Sequence, residues 1–170
     1  MEKVILVDEN DCEIGLMEKM EAHEKALLHR AFSVFVFNDE GKLLLQRRAA
    51  HKYHSAGLWT NTCCSHQRQG ETTLEASHRR LQEEMGFDCE LEEKFSFIYK
   101  VNFDNGLSEH EYDHVVFGNF NEEPQINPDE VSDFRYVSIK EIKEAIELDK
   151  SQFTFWFLVA FDQLEQKGLV

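Results

Sequence analysis

The run Asn61-Thr62-Cys63-Cys64-Ser65-His66 places a thiol two residues ahead of an imidazole, just upstream of a glutamate-rich segment. A free cysteine most often packs as a small hydrophobe. A thiol can also donate a proton or, ionised, accept one. Glu109 and Glu111 lie two apart, so on an extended chain both carboxylates face the same way. Two like charges so placed are unfavourable unless a cation neutralises them. The segment Arg79-Arg80-Leu81-Gln82-Glu83-Glu84 pairs Arg79 with Glu83 and Arg80 with Glu84 at i,i+4. Its carboxylates are the hard oxygen ligands that suit Mg²⁺, an ion that bridges diphosphate oxygens. The plainer readings are a solvent-facing strand for the first pair and a salt-bridged surface helix for the second.

These groups need elements to hold them. Thr72 to Met85 lacks glycine and proline and stops at Gly86, which predicts a helix. Lys3–Asp8 and Glu13–Met17 read as short strands around the polar turn Glu9-Asn10-Asp11. Phe32–Phe37 and Leu43–Arg48, joined by Asn38-Asp39-Glu40-Gly41, read as a β-hairpin. Glu90–Phe103, Tyr112–Phe120 and Phe134–Val137 read as further strands. Ser138-Ile139-Lys140-Glu141 is a capping box opening a helix to about Leu148, and Phe153–Gln166 reads as a last helix. Strands precede, separate and follow the helices, which gives an α+β class with a mixed sheet.

The sequence of 170 residues fits one domain, residues 1–170. Hydrophobic content of 42%, with 14 phenylalanines, is enough to fill a core. A net charge of −15 disfavours non-specific binding to nucleic acid and to anionic membranes, though a local basic cluster can still hold a small anion. The start lacks the basic and apolar regions of a signal peptide, and the apolar stretch Phe153–Phe161 is too short to span a bilayer. The four scattered cysteines do not form a disulfide pattern. The expectation is a cytoplasmic protein with reduced thiols.

Ser65, five residues, Glu71, seven residues, then Arg79-Arg80-Leu81-Gln82-Glu83-Glu84-Met85-Gly86-Phe87 resembles the Nudix box, a loop-helix-loop motif that binds metal and diphosphate. Glu71, Arg79, Leu81, Glu83, Glu84, Gly86 and Phe87 match it, whereas Ser65 replaces a glycine and Arg80 a glutamate. The resemblance implies a Nudix-like α/β/α sandwich with a mixed β-sheet and an added N-terminal β segment. In hydrolases of that superfamily the missing glutamate helps hold metal or activate water. Arginine stays protonated and cannot act as a base. It can bind phosphate through two parallel hydrogen bonds.

Together with Arg80, Asn61–His66 and Glu109-His110-Glu111 resemble the type I isopentenyl-diphosphate isomerases. Leu28–Ser33, Gln46-Arg47-Arg48 and Trp156 extend that resemblance over about Lys3 to Phe161. It implies interconversion of isopentenyl and dimethylallyl diphosphate, with one proton added to an alkene and another removed through a tertiary cation. Cys64 and Glu111 match that family's acid/base pair. Tyr99 matches a tyrosine that hydrogen-bonds the glutamate, and Trp156 an aromatic beside the cation. His23, His29, His66, Glu109 and Glu111 match a metal site, whose mixed nitrogen and oxygen ligands suit Mn²⁺ or Zn²⁺. Lys19, Arg48, Lys52 and Arg80 match the diphosphate-binding residues, and Glu84 the ligand of a Mg²⁺ carried by the diphosphate. Cys63 reads as packing, and His51, His54, His78, His110 and His114 receive no role. The implied partner is a small diphosphate, on a monomer or weak homodimer. The rival readings are a Nudix hydrolase, which Arg80 opposes, and a non-catalytic metal- or phosphate-binding module.

Overall fold

A computed structural model describes residues 1–170. In chain order the elements are β1 (Lys3–Val7), β2 (Glu13–Glu18), α1 (Lys19–Glu24), β3 (His29–Phe37), β4 (Leu43–Arg48), β5 (Trp59–Thr60), β6 (Cys63–Ser65), α2 (Thr73–Met85), β7 (Leu91–Asn102), β8 (Ser108–Asn119), β9 (Val131–Val137), α3 (Ile139–Asp149) and α4 (Phe155–Gln166), with a single 3₁₀ turn at Lys150–Gln152 between the last two helices.

β3 is the hub of a mixed sheet. It runs antiparallel to β1, β4 and β6, and parallel to β8 from His29↔Glu111 to Phe37↔Asn119. β7 and β8 form a long antiparallel hairpin, and β4 pairs with β5 and β9. One core cluster joins the even-numbered residues Phe32, Val34 and Val36 of β3 to Ala76, Leu81 and Met85 of α2. The other joins Phe35 of β3 to Ile142 of α3 and to Phe157, Ala160, Phe161 and Leu164 of α4. The sheet thus lies between helix layers, an α/β/α sandwich of α+β class, with β1 and β2 as the added N-terminal pair.

Two expectations need correction. β3 and β4 do not form a hairpin ladder, because they share only Phe37↔Leu43. Beyond the turn the Trp59–Ser65 segment takes the facing edges, β6 pairing with β3 and β5 with β4, while β8 and β9 pair with the outer edges. β8 starts at Ser108 rather than Tyr112, so Glu109 and Glu111 lie within a ladder. Three short elements, α1, β5 and β6, give no signal of their own in the sequence.

Helix α2 starts and stops as its local chemistry dictates. The Thr72 hydroxyl accepts from Glu75 N, while the Glu75 carboxylate accepts from Thr72 N, a reciprocal capping box. Gly86 ends the helix at φ +68°, and a Cβ there would lie 2.1 Å from the Gln125 carbonyl oxygen. Only glycine meets both demands. No helix is long and apolar enough to cross a membrane.

Candidate active site

Register assembles the site. Directly paired residues of neighbouring strands point to the same face, and alternate residues of one strand share it. His29 and Ser33 lie on one face of β3. Glu111 pairs with His29, Cys64 with Ser33, and Tyr99 with Glu111. β6, β3, β8 and β7 therefore present Cys64, His29, Glu109, Glu111 and Tyr99 on one surface. Cys63 pairs with Val34 and joins the opposite core.

This surface floors a cavity of about 650 Å³ lined by Lys19, Arg48, Lys52, Cys64, His66, Arg80, Glu84, Tyr99, Glu109, Glu111 and Trp156, among others. His23 and His29 do not line it. They lie beneath, with no solvent exposure. Every residue to which the resemblance gives a catalytic, diphosphate-binding or metal-binding role thus stands in or directly under one hollow.

The one-turn helix α1 carries Lys19 and His23 four residues apart, and its N-terminus is capped by the Glu18 carboxylate. The His23 Nδ1–H donates to the Lys19 carbonyl at 2.6 Å, and the His29 Nδ1–H donates to the Leu27 carbonyl at 2.8 Å. Each bond fixes the tautomer and leaves the Nε2 lone pair facing inward, where neither Nε2 has a hydrogen-bond partner. A backbone acceptor on the far nitrogen is how proteins orient metal-binding histidines. The rings of His23, His29 and His66 form a triangle with centroid separations of 5.0, 5.1 and 6.0 Å. Ligand atoms of His23, His29, His66 and Glu111 lie within 4.8 Å of one another. Four converging ligand groups, with the His23 and His29 Nε2 atoms buried and unsatisfied, fit a divalent cation.

Glu109 stands one step aside. It groups with His23 and with His54, which the sequence reading left without a role. Its Oε2 is 3.2 Å from His23 Nε2, and its Oε1 is 3.1 Å from His54 Nε2.

Glu111 is the most connected carboxylate. Oε1 lies 3.0 Å from His66 Nε2 and 3.5 Å from His29 Nε2, and Oε2 accepts from the Tyr99 hydroxyl at 2.6 Å. Burial alone would raise its pKa, but the adjoining His29 and His66 imidazoles hold it well below the usual carboxylate range. Burial raises the Tyr99 phenol well above its ordinary value, and Glu111 and Glu109 add to that. Burial likewise pushes the Cys64 thiol up to about 12, against the pull of Arg48. Cys64 is therefore a thiol at neutral pH and Glu111 a carboxylate.

The opposite wall is charged. Arg80 donates to Glu83 at 2.8 Å and also to Glu84, and lies 3.5 Å from Glu130. Glu84 also accepts from Gln46 Nε2 at 2.8 Å, and Lys52 pairs with Glu130. Arg48 stands 5.1 Å from the centre of the Trp156 ring, and its Nη2 donates to the His54 carbonyl at 3.3 Å. Lys19 pairs with Glu2 at 3.3 Å. Of the motif residues, Glu71 does not line the cavity; it pairs with Arg79, which stands at the cavity wall. Two hydrogen bonds of 2.7 and 2.9 Å tie the loop before α2 to its middle.

Gln46, His54 and Glu130 are the residues that sequence reasoning missed. Gln46 stands in the family match Gln46-Arg47-Arg48 without a role of its own, and the only signal for His54 is its place two residues after Lys52. Glu130 lies in a stretch without periodicity.

The NUDIX domain model matches residues 27–157. An isopentenyl-diphosphate Delta-isomerase of Pectobacterium atrosepticum is 55% identical over 95% of this chain and 90% of its own length. A protein of the same name from Serratia proteamaculans is 48% identical over 96% and 91%. The chain belongs to the isopentenyl-diphosphate Delta-isomerase family of Nudix proteins. Among solved structures, a protein from Deinococcus radiodurans superposes with a TM-score of 0.73 at 21% identity, covering 87% of this chain and 90% of that one. A MutT protein from Methanosarcina mazei gives 0.66 at 19%, covering 83% and 95%. At those identities the likeness is one of fold. In this chain position 80 carries a guanidinium, a group that can bind phosphate through paired hydrogen bonds but cannot act as a base.

Proposed function

We propose that the protein interconverts isopentenyl diphosphate and dimethylallyl diphosphate, with Cys64 and Glu111 as the acid/base pair. The observation that carries this is the shared face of Cys64 and the Tyr99–Glu111 pair, in one cavity with a basic wall. The chemistry needs a proton donor and a proton acceptor along a short carbon chain, with water excluded.

In this reading the Cys64 thiol proton goes to the terminal alkene carbon. The double-bond electrons form the new C–H bond and leave a tertiary cation. The Glu111 carboxylate then takes a proton from the carbon on the diphosphate side, and that C–H electron pair closes the new double bond. Tyr99 orients Glu111 and stays neutral. Trp156 offers its ring face to the cation, a contribution of about 2 kcal/mol in a desolvated site. Its place beside the Arg48 guanidinium supports that role.

His23, His29, His66, Glu109 and Glu111 would hold Mn²⁺ or Zn²⁺, and Glu84 a Mg²⁺ carried by the substrate; bound there, such ions would supply positive charge that keeps Glu111 ionised and neutralises the diphosphate. Lys19, Arg48, Lys52 and Arg80 bind the diphosphate, with Arg80 leaving Glu83 and Glu130 to do so. The chain works as one domain, monomeric or weakly dimeric, in the cytoplasm.

The test is to incubate the purified protein with isopentenyl diphosphate, Mg²⁺ and Mn²⁺ in D₂O and to follow proton and phosphorus NMR. Dimethylallyl diphosphate carrying deuterium, without free phosphate, is the expected result. Release of phosphate or pyrophosphate identifies a hydrolase instead. An unchanged substrate with folded, metal-loaded protein removes the proposal.

A further inference from the structure

His54 lies where three parts of the site meet. Its ring stacks on Phe103, at the tip of the β7–β8 hairpin, with centroids 5.6 Å apart and planes 13° from parallel. Its edge meets Trp156 of α4 at 5.5 Å, and its backbone carbonyl accepts from Arg48. Its side chain is only 7% exposed, and Nε2 lies 3.1 Å from Glu109 Oε1.

A ring so enclosed has little rotational freedom, so that contact is set by packing. Of the two ring nitrogens, Nδ1 is buried and has no partner. His23 and His29, by contrast, place Nδ1–H on a backbone carbonyl and aim Nε2 into the cluster. His54 lacks that brace. With Nε2 carrying the proton, it faces Glu109 Oε1 at 3.1 Å as an N–H group and leaves the other nitrogen as a bare lone pair, the less costly group to bury unpaired.

Glu109 needs such a donor. No backbone or side-chain donor is bonded to its Oε2, which faces His23 at 3.2 Å. Holding Oε1 against His54 turns Oε2 towards the histidine triangle. We propose that His54 is a positioning residue that aims the Glu109 carboxylate into the His23, His29, His66 and Glu111 cluster.

The inference rests on the cation cluster proposed above and not on the isoprenoid chemistry. Its test is therefore Mn²⁺ binding by the full chain, titrated by electron paramagnetic resonance without isoprenoid substrate. His54→Phe keeps a flat ring between Phe103 and Trp156 and removes the donor. It is expected to weaken Mn²⁺ binding about 10–100-fold, the range typical for lost partners of metal ligands. His54→Gln keeps an N–H near the Nε2 position and is expected to retain most of the affinity. In a Glu109→Gln background, His54→Phe is expected to add no further loss.

Wild-type affinity in His54→Phe overturns the proposal. So does equal weakness in His54→Gln, which would make His54 a ligand, and so do additive losses in the double variant. Wild-type protein that binds no Mn²⁺ overturns the cluster and this inference together. Binding that is insensitive to residue 54 overturns the inference alone. If thermal unfolding shows His54→Phe misfolded, His54→Asn replaces it, because the shorter amide falls short of Glu109; the same outcomes decide.

Discussion

Tyr99→Phe removes one atom from the middle of the site. The hydroxyl donates to Glu111 Oε2 at 2.6 Å, and Tyr99 is only 7% exposed. Phenylalanine keeps the ring and its packing, including Phe97 at 5.9 Å and Phe155 at 6.5 Å, so no sizeable cavity forms. What is lost is a hydrogen bond to a charged acceptor, worth about 1.5–3 kcal/mol. His29 and His66 both approach the other oxygen, so neither replaces it. If the bond orients Glu111 for proton transfer, that energy appears in the barrier as a fall in kcat of about 10–100-fold. The residues proposed to bind diphosphate lie on the opposite wall, so KM should change by less than about threefold. Initial rates of isomerisation across a range of substrate concentrations separate the two. Unchanged kcat would refute the reasoning, and so would a loss carried wholly by KM.

Three further outcomes follow from the geometry. Arg80→Ala removes a fork from the cationic wall and leaves Glu84 and Glu130 facing the diphosphate; KM in the same assay should rise more than tenfold, with a smaller change in kcat. Glu71→Gln weakens the pair with Arg79, which holds the Glu71 pKa below its ordinary 4.5, with the Arg68 backbone amide assisting. A depressed folded-state pKa contributes stability above about 4.5 that is lost as pH falls through the folded value, so in urea unfolding the variant should be weaker than wild type at pH 7 and the gap should close as pH falls below 4.5. Gly86→Ala must place a Cβ 2.1 Å from the Gln125 carbonyl at φ +68°, a combination that should destabilise the chain by at least about 2 kcal/mol in the same measurement.

Legibility differed from one part of the chain to another. Helix α2 and the capped start of α3 announce themselves through local chemistry, in which a hydroxyl and a glutamate three residues on satisfy each other's backbone. The strands β3 and β4 were legible as segments, but their partners were not, because pairing depends on ladders made with residues some 80 positions away. β6 is three residues long and exists only through β3. The one-turn α1 is likewise too short to stand alone. Family resemblance supplied the histidine and glutamate set, which no spacing rule would have assembled from α1, β3, β6 and β8. It gave no role to His54 or to Gln46, whose side chains meet the carboxylates of Glu109 and Glu84.

The adjacent thiols carry a consequence for how the chain tolerates change. Cys63 and Cys64 face opposite sides of a three-residue strand, so which sulfur meets the cavity is a matter of phase alone. That phase is pinned just upstream. Asn61 Nδ2 donates to the Val34 and Cys63 carbonyls, and the Thr62 hydroxyl bridges from Val36 N to the Leu44 carbonyl. A single-residue deletion or insertion between Trp59 and Ser65 would exchange the two sulfurs while leaving the composition of the segment almost intact. The polar pair Asn61-Thr62 thus works as an indexing pin, and substitutions there should misdirect the thiol without touching it.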